Sequence, residues 1–320
     1  VGSEMCIRDS NKLNIASLKD VLGDMTLTNL LIEELDLSQI NFNGNTLTLQ
    51  CKQLNKIVGS ETFNGSLFLL PKDCRLTEFT LEGISNIQGD FQCIDYFYVK
   101  EFVMPFIRVA GDMTIALNSG SVNTAAEIEF PKLQEIGGTL TLGTNRNANN
   151  ITFPLLKKIL GSCSVTTYKL KNDIEFTNLE SIGTDGADAQ IKFEIEATNI
   201  LCPKLKTING KFDIATSSFM FDMEVDKVSY PNVESISENL SITCPYSDFG
   251  SNGILSIDFS GLKSAKGISI SGQGDVTDFS SFKYLFENNV LTGESQWSVK
   301  ECGYNPTFQE MKDGKYKLAE

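Results

Sequence analysis

One pattern recurs along the chain and limits what it can fold into. Residues 130–142 read FPKLQEIGGTLTL, 153–165 FPLLKKILGSCSV, 202–214 CPKLKTINGKFDI and 230–242 YPNVESISENLSI. The shared frame is an aromatic residue or Cys, then Pro-x-Leu-x-x-Ile-x-Gly-x-Leu-x-Leu. Residues 176–182 (FTNLESI) give the front half of a further copy, with Thr177 in place of proline. Weaker copies are Leu18-Val21-Gly23-Met25-Leu27, Leu54-Ile57-Gly59, Ile84-Ile87-Gly89-Phe91-Cys93, Phe106-Val109-Gly111-Met113-Ile115 and Leu262-Ala265-Gly267-Ile268-Ile270. A unit of roughly 20–30 residues cannot bury its own apolar face, so such units must stack.

Each position has a physical reading. Leu140 and Leu142 alternate with threonine, the period-two mark of a half-buried strand. Stacking sets Leu140 in one ladder with Cys163 and Phe212. The glycine before the strand suits a corner that needs positive φ or close backbone approach. Proline opens a segment too short for a stable helix, read as extended or 3₁₀. A second strand precedes each proline, as in Asn150-Ile151-Thr152-Phe153. The prediction is an all-β, right-handed parallel β-helix, a β-solenoid of about ten coils.

Length variation has one phase, between the Leu-x-Leu strand and the next pre-proline strand. The segments are 143–149, 166–171, 215–227, 243–253 and 271–277, rich in Asn, Gly, Ser and Asp. They are expected to line one edge of the solenoid, the usual binding edge of repeat proteins.

Residues 1–10 (VGSEMCIRDS) back-translate in frame to a transposase sequencing adapter and are set aside as a scar. The expected organisation is then a scar at 1–10, a solenoid at 11–290 and a C-terminal cap at 291–320. A signal peptide or anchor is expected to have stood upstream of residue 11. In the cap, Thr307 followed by Glu310 matches a capping box, which predicts a short helix. Trp297, Tyr304 and Phe308 are expected to cover the last coil.

Composition narrows the function. The net charge of −14 disfavours nucleic acid, which needs a basic footprint. The absence of histidine removes Ser-His-Asp triads, Cys-His pairs and His-ligated zinc. No apolar run approaches the ~18 residues that would span a bilayer. Without Cys6 seven cysteines remain, oddly spaced and without a CxxC pair, and they read as buried small hydrophobes.

The repeat resembles the receptor L domain, a leucine-rich-like right-handed β-helix, and is most similar to L-domain-like proteins of bacterial cell surfaces, many of them lipoproteins. The resemblance implies fold and extracellular display, and no catalytic residue. The cysteine-rich module that follows L domains in growth-factor receptors has no counterpart here.

The resulting expectation is a non-enzymatic binding or adhesion module of the outer cell surface, monomeric, meeting a protein or glycan along the variable edge. No cofactor, metal or catalytic residue is assigned. Candidate ligand residues are Phe219, Met220, Phe221 and Asp222, because a loop this apolar is costly to leave wet. Asp185, Asp188 and Tyr246 join them. The loop around Asp185 and Asp188 lacks the spacing of an EF-hand; calcium binding by the Asp-rich edge is left open. The aromatics at 96–98 with Phe102 and Phe106 read as core packing. Two alternatives are a glycan-active β-helix enzyme using edge carboxylates and a structural spacer of the envelope.

Overall fold

The computed structural model describes residues 5–8, 13, 15, 17–70, 78–94, 101–117, 126–144, 148–166, 173–186, 189–195, 199–216, 227–243, 254–272 and 274–319. The chain is a parallel β-solenoid with almost no helix, divided into two compact units, Val1–Ile159 and Leu160–Glu320. In each unit a coil lays down a principal strand, a lateral strand and a short corner strand. Among the described residues corner strands occur in eight coils, so complete coils number about eight rather than ten.

In the first unit the principal strands Met25–Thr28, Thr46–Gln50, Ser66–Leu69, Phe91–Ile94, Met113–Leu117 and Leu140–Thr144 pair in parallel, like residue over like. Two side chains of each strand point inward, from Met25 and Leu27 to Leu140 and Leu142, and none is more than 1% exposed. The strand Met5–Arg8 continues this sheet by pairing with Met25–Thr28. It lies within the residues set aside as a scar, and the open edge of a sheet accepts any extended chain. Phe102 and Phe106 are buried as expected; residues 96–98 lie outside the described residues.

The corner strands are Thr62–Phe63, Asn86–Ile87, Arg108–Val109, Glu135–Ile136 and Lys158–Ile159. They correct one register. Leu54-Ile57-Gly59 is not a corner: Ile57 pairs laterally with Leu35 and Leu81. Phe63 takes the corner position, followed by Gly65, Leu67 and Leu69. Gly65 is the glycine that the turn demands, since a Cβ there would lie 2.2 Å from the Asn45 carbonyl oxygen. Close approach also explains Gly111, where a Cβ would meet an Asp90 carboxylate oxygen at 2.1 Å. That same oxygen accepts the Asp112 N–H at 2.8 Å, and Asp112 repeats the arrangement on Thr139 at 2.6 Å. Aspartates thus stitch consecutive coils before the principal strand.

The segment after each aromatic is a single tight turn closed by an i to i+3 hydrogen bond, the bond of the 3₁₀ alternative and not of the extended one. Leu133, Leu156, Leu179, Leu205 and Val233 each donate an N–H to the carbonyl three residues back. Proline at the second turn position presets φ and has no N–H to lose. Thr177 and Ser260 serve in the same place, because the turn needs the conformation rather than the ring.

In the second unit the principal strands are Cys163–Thr166, Ala189–Ile195, Gly210–Thr216, Asn239–Thr243, Gly267–Ser271 and Trp297–Lys300. The last lies inside the segment assigned to the cap. Cys163, Ile191 and Phe212 stand in one inward ladder. Cys51, Cys93, Cys163, Cys202 and Cys302 are buried, and Cys51, Cys163 and Cys202 are free thiols. The helix Phe308–Lys312 carries the anticipated box: Thr307 Oγ1 accepts the Glu310 N–H at 3.2 Å and Glu310 accepts the Thr307 N–H at 2.9 Å. Trp297 is buried, stacks edge-on against Phe286, and donates its indole N–H to the Pro306 carbonyl at 2.9 Å. Among the described residues no helix is long and apolar enough to cross a membrane.

Candidate ligand cleft

Most sequence-derived candidates fall outside the described residues: Phe219, Met220, Phe221, Asp222, Asp188 and Tyr246. Asp185 is exposed, but it sits between the corner strand Ser181–Ile182 and the principal strand Ala189–Ile195. That is a different phase of the coil from segments 166–171 and 215–227. The bulge opens just after Gly183, whose φ of +80° suits glycine.

A cleft in the second unit was not anticipated. In a parallel ladder, successive residues turn their N–H and C=O to opposite neighbours. Ile174 and Phe176 donate to the Asn199 and Leu201 carbonyls, both at 2.9 Å. Ile200 and Cys202 therefore face the next coil. On that coil Tyr230 donates its N–H away, to the Asp258 carbonyl at 2.8 Å, which leaves Ser229 facing Ile200. Yet Ile200–Leu201 and Lys227–Ser229 do not pair. One lateral sheet ends at Ile200–Leu201 and another begins with Lys227–Ser229 and Ser256–Asp258.

The break is local. The same two coils pair through principal residues Phe212 to Ala215 with Leu240 to Thr243, and through corner residues Thr207 and Ile208 with Ser235 and Ile236. They are closed on two faces and open on the third. The opening is a cleft of about 430 Å³, within the range of small-ligand sites.

Its floor is Ile200, Cys202, Val228 and Tyr230, all buried; Leu201, Pro203, Pro231 and Lys227 are exposed around the mouth, with Glu175 beside Leu201. Tyr230 fits tightly, its ring against Phe193, Phe212 and Phe259 with centroids 5.5–6.0 Å away. Its hydroxyl donates to the Ile200 carbonyl at 2.9 Å. A buried phenol needs such a partner, and here it stands where the Ser229 N–H of a closed ladder would come. At the rim Asn232 donates to the Pro203 carbonyl at 2.8 Å, tying the two turns together.

The floor is electrically quiet. Burial, with the Cys163 thiol nearby, pushes the Cys202 thiol well above its ordinary range. Burial, with Cys202 and Cys163 nearby, does the same for the Tyr230 phenol. Both are neutral at pH 7, so Cys202 is no thiolate nucleophile. The site presents shape, apolar contact and main-chain hydrogen-bonding groups. One sequence signal pointed here. Along the row Phe130, Phe153, Phe176, Cys202, Tyr230, Phe259, only Cys202 and Tyr230 set a small side chain beside an aromatic with a polar tip.

Comparison of the chain with protein-family models, with curated proteins and with solved structures gave no match.

Proposed function

We propose that the chain is a non-enzymatic binding module of the outer cell surface and that its ligand seats in the cleft between Ile200–Leu201 and Lys227–Ser229. The observation that carries this reading is the local opening of a ladder that is closed on the other two faces of the same coils. Leu201, 38% exposed, offers an apolar contact at the mouth, and Leu255, 55% exposed, adds another to this unit's surface. Display outside the cell rests on the resemblance of the repeat to L-domain-like surface proteins. The neutral floor and the absence of histidine favour binding over turnover.

The test is to present the intact chain at micromolar concentration to arrays of glycans, proteins and peptides, beside the Leu201→Arg variant. Retention of one ligand class by the parent, lost in the variant, is the expected result. An empty array sinks the reading and leaves the spacer. Hydrolysis of a member of a broad polysaccharide panel, abolished by Asp185→Asn, overturns it in favour of the edge-carboxylate enzyme.

A further inference from the structure

The chemistry of the cleft narrows the ligand, on the premise that the cleft is the seat of a binding module. Both walls are strand edges. On one side the N–H groups of Ile200 and Cys202 face the cleft, the Ile200 carbonyl being held by the Tyr230 hydroxyl and the Cys202 carbonyl by the Leu205 N–H, and on the other the N–H and C=O of Ser229. Facing strand edges in a sheet recognise the one ligand that carries an N–H and a C=O at every residue, an extended polypeptide. A sugar is a poorer match. Glycan contact draws on open aromatic faces, and the one ring among the described lining residues, Tyr230, is 2% exposed.

Charge refines the choice. The chain carries −14, a field that steers cationic partners inward and repels anionic ones. At the mouth Glu175 sits on the strand beside Leu201 and Lys227 opens the opposite wall. A strand alternates its side chains, so a segment lying along Ile200–Leu201 sends every second side chain outward past Glu175 and Leu201. We propose that the cleft binds an extended basic peptide segment that sets its carbonyls on the Ile200 and Cys202 N–H groups and an N–H on the Ser229 carbonyl, with an apolar side chain against Leu201 and a Lys or Arg beside Glu175.

The experiment uses the full chain, an immobilised library of linear peptides biased to Lys and Arg at alternate positions, a matched library biased to Asp and Glu, and a glycan array. Basic peptides are expected to be retained and acidic ones not, with binding weakening as salt rises. The best peptide is then N-methylated one amide at a time. Removing the N–H that reaches the Ser229 carbonyl is expected to weaken binding about tenfold, and methylation at the two flanking positions to weaken it less. Glu175→Lys, an exposed change, is expected to abolish the preference for basic over acidic sequences, and Leu201→Arg to weaken all of them. Retention of glycans but no peptide overturns the inference and leaves the binding-module reading standing; silence on every array overturns both. A bound peptide indifferent to the position of N-methylation, or to Leu201→Arg, also overturns it. Circular dichroism and thermal melts of both variants separate these outcomes from misfolding.

Discussion

The principal and lateral sheets of the second unit are built by the same coils and behave differently. Ala189–Ile195 and Gly210–Thr216 pair over seven residues, whereas Ile174–Glu175 and Ile200–Leu201 pair over two. Each principal strand also buries two side chains in a continuous ladder, such as Phe193 and Ile191 above Ile214 and Phe212. Separating two principal strands would strip several hydrogen bonds and two buried contacts at once. A lateral pair of two residues holds far less, so one inserted ring and a hydroxyl suffice to replace it. A solenoid can therefore open a binding cleft on its lateral face without losing its core.

The largest effect follows from breaking the principal side of this contrast. Leu240 is fully buried between Phe212 and Ile268. Leu240→Asp places an unpaired carboxylate in the ladder and is expected to cost more than about 4 kcal/mol, measured by urea denaturation. A loss below about 1 kcal/mol would mean that the inward ladder does not carry the stability.

High pH probes the floor of the cleft next. Cys163, Cys202 and Tyr230 all have folded-state values raised by burial, from ordinary values of 9.0 for thiols and 10.0 for the phenol. The unfolded chain therefore releases these protons first. Their contribution is fully present below pH 9 and is lost as pH rises beyond it, by up to about 1.4 kcal/mol per pH unit for each group. Melting temperatures between pH 8 and 11 measure this, and a flat profile above pH 9 would show that the three groups are wet.

Tyr230→Phe sharpens the contrast at one atom. It keeps the ring among Phe193, Phe212 and Phe259 and removes only the donor to Ile200. A loss of about 1 kcal/mol is expected, together with a shallower decline above pH 10. An unchanged stability would indicate that the ladder closes once the hydroxyl has gone.

The core was readable from sequence because the inward rows obey period two and the glycines mark close approach. The inward pairs Leu140 and Leu142, Cys163 and Val165, Phe212 and Ile214, and Leu240 and Ile242 could be placed from the repeat alone, whereas Ile191 and Phe193, which stand between the second and third of these, could not, because only the front half of their copy, 176–182, keeps the pattern. Gly59 misled, since its neighbours Leu54 and Ile57 mimic the corner spacing while Phe63 and Gly65 hold the place. The cap helix was legible because Thr307 and Glu310 are local partners. The cleft was not, because it depends on pairing that fails between residues 28 positions apart in register, and neither strand looks unusual alone. The substitution of Cys then Tyr in an otherwise phenylalanine row was the visible trace, and it acquires meaning only once Tyr230 is seen to reach the Ile200 carbonyl.

The smallest expected effect separates binding from folding. Leu201 is buried by neither sheet, and its neighbour Ile200 supplies the inward contact. Leu201→Arg should shift stability by no more than about 0.5 kcal/mol, as exposed substitutions do, because its stem can lie along the surface while the guanidinium stays in water. The same change sets a bulky cation at the mouth of the cleft and should remove ligand retention. Both readouts come from one preparation, a urea titration and an array. If stability instead falls by about 2 kcal/mol or more, Leu201 is part of the packing that closes the lateral face, and the opening beside it is a gap in the fold rather than a site.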